Sequence, residues 1–290
     1  MVNRGVMNRS GRRSVALMFL GLLCLGSPCI SLGQTPSPLQ EWQYPGGIIL
    51  SGLFEPQLPK WRRVLGLAAS VEPAYDGAVV YRGEVGPALD VRYRNIAFVS
   101  VGEGIGVNVI HARHVNAGIA LGYDLGRTSS SDYRHLRGLD DLNPAPVPKL
   151  FVSWALSRSF PLVLRADIRR LMRRGDGFVG DLEAYMPLPG SSRRLVMFAG
   201  PSYTFADRRH MQETFGITPA QARSSGYSVY AARGGSNTEG IGFSATLFIT
   251  QHWLLNLDAA VDRLLGSAAA SPLSRRPTQR TLDIATAYQW

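Results

Sequence analysis

The stretch that most constrains the fold is Thr281 to Trp290 (TLDIATAYQW). Leu282, Ile284, Thr286, Tyr288 and Trp290 fall on one face and Thr281, Asp283, Ala285, Ala287 and Gln289 on the other. This two-residue period belongs to a strand whose faces meet different surroundings. About ten residues is also the length with which a tilted strand crosses a bilayer. Two readings are open at this point. One is the half-buried last strand of a water-soluble β-protein. The other is the closing strand of a transmembrane barrel, in which the terminal aromatics Tyr288 and Trp290 are the assembly signal read by the barrel-assembly machinery.

The same alternation recurs upstream. Leu65, Leu67, Ala69 and Val71 share a face; so do Leu89, Val91 and Tyr93, opposite Asp90 and Arg92. Ile96 to Ile110 reads as one strand that changes phase at Gly102 to Gly106, where a bulge is expected. Further alternating segments centre on 117–125, 150–156, 162–169, 182–186, 195–205, 241–249 and 253–262. Tyr123, Trp154, Tyr203, Phe205, Trp253, Tyr288 and Trp290 lie on the apolar face, several near strand ends, as in the interfacial girdles of membrane barrels. The opposite face mixes Gly, Ala, Ser and Thr with Asp, Glu and Arg, as a hydrated lumen requires. Aromatics and glycines together favour the membrane reading: an all-β, antiparallel, up-and-down transmembrane β-barrel of about 12 strands, within 10–14.

Eleven strands are clear, and an even count requires a twelfth, for which Gly47 to Phe54 is the candidate. With the C-terminus placed in the periplasm, the long connections 127–146, 207–236 and 266–278 fall outside the cell. The short ones at 111–114, 158–160, 187–192 and 250–252 fall inside. The lumen face carries Arg92, Arg165 and Arg169 against Asp90, Asp167, Asp181, Glu183, Asp258 and Asp262, and pairing across the barrel is expected to obstruct it.

The beginning of the sequence agrees with export. Residues 1–14 carry Arg4, Arg9, Arg12 and Arg13 and no acid, Val15 to Leu25 is nearly all apolar, and Ser31 and Gly33 precede Gln34. Residues 1–33 therefore read as a secretory signal peptide, too short in its apolar run to span a membrane as a helix. Cys24 and Cys29 both fall within it and neither follows a small residue, so lipoprotein cleavage is not expected. Residues 34–60 are interrupted by Pro36, Pro38, Pro45, Pro56 and Pro59 and read as a proline-rich periplasmic segment; the barrel occupies 61–290. Without the signal peptide the chain has 27 basic and 21 acidic residues, spread along strands and turns rather than clustered, so no nucleic-acid partner is expected. Outer-membrane lipid is the expected surrounding and the cell outer membrane the expected location.

No serine sits in a nucleophile context, and no metal-ligand spacing or cofactor motif appears. His135 with Asp140 and Asp141, and Asp207 with His210, are acid–histidine neighbours on outer loops, which such loops bring about by chance; no enzyme activity is expected. Thr218 to Gln221 (TPAQ) is an N-capping box with Pro219 at the first helical position, and Gly226 is placed to end the short helix that follows. Such a helix, near Met211, Phe215 and Ile217, serves as a docking surface or lid, or else is part of a loop that merely folds over the barrel mouth.

Gly200 to Gly226 (GPSYTFADRRHMQETFGITPAQARSSG) closely resembles the signature of the MltA-interacting protein family, also called MipA/OmpV. Supporting pieces occur in order: Pro73–Gly77 (PAYDG), Gly122–Arg127 (GYDLGR), Leu136–Asp140 (LRGLD), His252-Trp253 and Asp262–Leu273 (DRLLGSAAASPL). The departures are Trp290 where Phe is commoner, Ala78 where Ser is usual, and residues 34–60, which the family pattern does not cover. The resemblance implies an outer-membrane scaffold that holds the lytic transglycosylase MltA together with a penicillin-binding protein in peptidoglycan turnover. Its family-motif loop is marked here by Asp207, Arg208, Met211, Phe215, Pro219, Gln221 and Gly226. A small or gated pore, and a surface adhesin or antigen, are the alternatives.

Overall fold

The computed structural model describes residues 60–290, apart from 95, 113, 157–159, 174 and 176. Twelve strands form one closed antiparallel barrel in chain order. They are β1 (Trp61–Pro73), β2 (Tyr81–Tyr93), β3 (Ala97–Ser100), β4 (Gly104–His111), β5 (Val115–Asp124), β6 (Ala145–Ala155), β7 (Val163–Arg170), β8 (Phe178–Pro187), β9 (Leu195–Ala206), β10 (Gly235–Phe248), β11 (Trp253–Leu264) and β12 (Thr278–Gln289). The seam closes between β1 and β12, from Val64 opposite Gln289 to Val71 opposite Leu282. Closure satisfies the main-chain groups that lipid cannot.

Two expectations are corrected. Ile96 to Ile110 is not one bulged strand: Val101, Gly102 and Glu103 turn the chain back on itself, so β3 and β4 are a hairpin. A bulge does occur, but further on, between Asn108 and Ile110. The hairpin supplies the twelfth strand, so the even count does not need Gly47 to Phe54; that stretch, like residues 1–33 and the rest of 34–59, lies outside the described residues.

The period-2 reading of the faces holds. Leu65, Leu67, Leu257, Leu282 and Ile284 are exposed on the outside, as are all seven aromatics of the proposed girdles. Asp90, Arg92, Arg165, Asp167, Asp181, Glu183, Ser244 and Asp258 are buried within. The long connections leave from one end, the outer end; short turns, the start of β1 and the end of β12 share the inner end. Prolines sit where a strand has one neighbour only: Pro87 in the outer part of β2, and Pro146 and Pro148 in β6 before its ladder with β7 begins at Lys149 opposite Arg169. A residue without an N–H is tolerated at such edges.

Candidate functional site

Four outer connections, 74–80, 125–144, 207–234 and 265–277, pack on one another as a lid. After the single-turn helix α1 (Tyr133–Leu136) in the second connection, Asp207 caps helix α2 (Arg208–Phe215) by accepting from the His210 backbone N–H at 2.8 Å, using one of the donors a helix start leaves free. One face of α2 puts Met211 and Phe215, at most 1% exposed, against Val147, Leu171, Val179 and Leu264 of the barrel mouth. Helix α3 (Pro219–Ser225) has the expected capping box: Gln221 N–H donates to Thr218 Oγ1 at 3.2 Å and Thr218 N–H to Gln221 Oε1 at 2.9 Å. Gly226 ends it at φ 81°, a left-handed conformation that glycine adopts without strain.

The lid is tied across loops. Gln221 Nε2 donates to Asp140 at 3.0 Å and the Ser224 hydroxyl to the Gly138 carbonyl at 2.6 Å. At Gly138 a side chain would start 2.5 Å from the Ser224 backbone, so only glycine lets the loops meet. Ile217, fully buried, packs with Ala74, Tyr75, Leu136, Leu139 and Leu273. Of the family-motif residues, Met211 and Phe215 point inward, as does neighbouring Ile217, while Arg208, Pro219 and Gly226 remain exposed.

Beneath the lid is a chamber of about 210 Å³, lined by Glu72, Asp76, Asp124, Arg127, Arg173 and His210 among others. Arg173 pairs with Asp124, and Arg127 donates to the Thr214 carbonyl at 3.0 Å. Over a third of the Asp76 surface is open, and the residue stands among those that line the chamber. Burial, reinforced by the Asp124 charge, raises its carboxyl above the usual range. Burial also lowers the His210 imidazole to about 4, helped by Arg169 and Arg173, and the ring stays neutral. Its Nδ1 has no hydrogen-bond partner among the described residues.

The structure does not bring together the acid and histidine side chains of either neighbourhood that the sequence sets side by side. His135 bonds Asp132 at 2.8 Å, while Asp140 takes Gln221 and Asp141 takes the Ser129 N–H at 2.6 Å. Asp207 meets only the backbone of His210. Among the described residues no group of three or more His, Cys, Asp or Glu is arranged to hold a metal ion.

Below the chamber the lumen is filled. Glu103, at the β3–β4 turn, reaches inward to Arg92 of β2 and to Arg165 of β7, the latter at 3.0 Å. Arg92 also pairs with Asp90 at 3.1 Å, and Arg169 pairs with Asp167 and Asp181. The two guanidiniums of Arg92 and Arg165 lie over Phe98 and Phe151, which meet edge to face at 5.9 Å. Nearer the inner end the buried Tyr185 and Phe198, 5.8 Å apart, close the space with Ala155 and Val163. Each such side chain, removed from water, contributes roughly 1.5–3 kcal/mol. Glu103 escaped the sequence reading because its strand partner was misassigned; a lone acid between three glycines and an apolar run was the available signal.

Cross-lumen pairing holds on one side only. Asp258 and Asp262 have no ion-pair partner among the described residues; Asp258 accepts from Asn256 and stands opposite Asp283 in the ladder. The inner end carries a further feature that spacing did not reveal. Its connections bear Arg94, Arg193 and Arg194, with Lys60 at the start of β1, all exposed. The sequence adds Arg113 and Arg158 to the same connections and no Asp or Glu to any of them.

The family described as "MltA-interacting protein MipA" matches residues 65–290. No curated protein matches the chain. Among solved structures, an outer-membrane channel from Pseudomonas putida F1 is 7% identical, with 81% of this chain and 97% of that chain covered at a TM-score of 0.39. The anion-selective porin from Comamonas acidovorans is 8% identical, with 79% and 98% covered at 0.36. The CymD monoaromatic hydrocarbon channel is 10% identical, with 89% and 97% covered at 0.40.

Proposed function

Because the chain belongs to the MltA-interacting protein family, we propose that it is a scaffold that holds a lytic transglycosylase of the MltA kind, together with a penicillin-binding protein, beneath the outer membrane. It is an outer-membrane β-barrel in contact with lipid around its apolar belt. The observation that carries the scaffold reading is the contrast between a blocked lumen and a uniformly basic inner rim. A barrel of this strand number lies between those filled by side chains and those that leave a channel. Here Arg92, Glu103, Arg165, Tyr185 and Phe198 occupy the interior and the lid covers its mouth.

What remains free for a periplasmic partner is the rim. Arg94, Arg193, Arg194 and Lys60 stand there without a competing carboxylate side chain in those connections, which suits an acidic face and steers its approach. The protein acts by holding partners, not by catalysis. The test is photo-crosslinking in intact envelopes. A crosslinker at position 94 or 193 captures the transglycosylase, one at Arg223 on the lid does not, and R94E/R193E/R194E lowers the yield at least several-fold while assembly is normal. Capture that survives the triple reversal unchanged, or occurs only from the lid, removes the reading.

A further inference from the structure

On one face the outer wall changes character at its top. The outward column of β11 runs from Trp253 through Leu257 and Val261 to Arg263, and that of β12 falls from Arg280 to Leu282 beside it. Trp253 belongs to the inner aromatic girdle, and Arg263 follows it ten residues further along the same strand. At about 3.3 Å per residue and a tilt of 35–45°, that separation is roughly 25 Å of height, the extent of the apolar band itself. Arg263 therefore stands at the level of the outer headgroups. Just beneath it, Val261 and Leu282 are 43% and 50% exposed and face hydrocarbon.

Two more arginines share that level. The register partner of Arg263 on β12 is Thr278, so Arg280 is its diagonal neighbour on the same face. The alternation continues one step beyond the strand, where the Leu264 N–H donates to the Pro277 carbonyl at 2.8 Å, and this puts Arg276 on the other diagonal. Diagonal neighbours are roughly 7–8 Å apart, within reach of long side chains. All three arginines are exposed. Their backbones are held in place: the Arg276 N–H donates to the Gly77 carbonyl at 2.9 Å, the Arg280 N–H donates to the Tyr81 hydroxyl at 3.1 Å, and Arg263 sits in the ladders to β10 and β12. Glu239 of β10, also exposed, stands opposite Arg263, so these four positions set three guanidiniums against one carboxylate. Like charges at this spacing repel, and the hydrocarbon beneath keeps them from turning downward; an anion between them removes the repulsion.

We infer that Arg263, Arg276 and Arg280 form a seat on the outside of the barrel for a phosphate-bearing lipid of the outer leaflet, its phosphate over Thr278 and its acyl chains along Val261 and Leu282. Guanidinium forks engage phosphate oxygens two at a time, and the Thr278 hydroxyl adds a donor at the centre of the three. A soluble anion would meet the cations but leave the apolar column beneath them unused; a lipid uses both. The seat lies at the opposite end of the barrel from Lys60, Arg94, Arg193 and Arg194, so it stands or falls apart from the scaffold reading.

The test is native mass spectrometry of the purified protein in neutral detergent, with folding of each variant verified by heat-dependent gel migration. The probes are bisphosphorylated lipid A and the same lipid with both phosphates removed. The wild type retains the phosphorylated lipid at least ten-fold better than the dephosphorylated one. R263Q/R280Q lowers that retention about ten-fold, and R276Q, in a connection outside the strands, lowers it several-fold and carries the test if the double variant fails to assemble. R134Q/R137Q removes the same charge from exposed positions of the second connection, at the same end of the barrel, and leaves retention unchanged. Retention that ignores both R263Q/R280Q and R276Q, or that falls equally in R134Q/R137Q, overturns the seat, and equal retention of the two lipids overturns its preference for phosphate.

Discussion

On the β8–β12 side every strand has ten or more residues, with neighbours along most of both edges, whereas β3 has four residues and the outer part of β2 has one partner. The interior differs accordingly. On this tall side, Ser244, Thr246, Asn256, Ala285 and Ala287 face inward from β10 to β12, small or neutral, with Asp258 and Asp283 set opposite each other, while β8 and β9 add Asp181, Glu183, Tyr185 and Phe198. On the low side the interior is Arg92, Glu103, Arg165, Phe98 and Phe151. Where the main-chain ladder is continuous it holds the wall by itself; where it stops, side chains take over, and Glu103 ties the short hairpin to β2 and β7.

The largest effect is expected at the seam of the tall side. Tyr288 lies against His252, Trp253 and Trp290 at 5.4, 5.3 and 5.9 Å, and the Trp290 N–H donates to the Arg63 carbonyl at 3.1 Å. Tyr288→Ser with deletion of Trp290 should abolish most of the heat-modifiable, assembled species while export continues. Normal assembly would show that the closing strand needs neither aromatic.

Next comes the contrast itself. Glu103→Ala removes a buried carboxylate shared by the guanidiniums of Arg92 and Arg165 and should cost roughly 3–5 kcal/mol in urea unfolding from lipid vesicles. Asp258→Ala removes one of two facing carboxylates, an arrangement that repels, and should change stability by less than about 1 kcal/mol. Equal losses would dissolve the distinction between the two sides. A third comparison stays within the tall side: Leu257→Arg faces lipid and should cost roughly 2–4 kcal/mol, while Ser244→Arg, inside and beside Asp258 in the ladder, should cost less. The reverse order would mean the faces are exchanged.

The fold was legible to the extent that period-2 alternation reports it, and the failures are informative. β9 to β12 read clearly because apolar outward residues alternate with small inward ones without interruption. The outer part of β2, Tyr81–Ala88, was missed because Gly83, Gly86 and Pro87 break the pattern, and those residues are there because the strand has no second neighbour. The β3–β4 turn is indistinguishable from a bulge in sequence, because three closely spaced glycines, Gly102, Gly104 and Gly106, mark either. The capping box of α3 was readable from TPAQ alone; that Met211 and Phe215 face the barrel was not, since helix periodicity does not say which side the rest of the protein lies on. The basic inner rim is visible only once topology brings the separate turns together.

The smallest effect concerns the lid and pH. His210 is held neutral, lowered to about 4 by burial and by Arg169 and Arg173, with Asp124 and Asp207 opposing them. A depressed folded value means that this stability is present above the unfolded imidazole value near 6.5 and is lost as pH falls from there toward 4. Asp76 and Glu213, raised by burial, act in the opposite sense and gain as pH falls. The protection factors of the amides over residues 208–226 should therefore fall between pH 6.5 and 4 more in the wild type than in His210→Gln. No difference between the two would place the lid's response in its carboxylates.

The most direct test of a barrel closed on the inside is conductance of the purified, heat-modifiable protein in planar bilayers. The filled lumen, from Glu103 with its two arginines down to Tyr185 and Phe198, should give no steady channel, and urea-free preparations should remain silent at either polarity. Large, stable, ion-selective steps from the same preparation would contradict it and make the protein a pore.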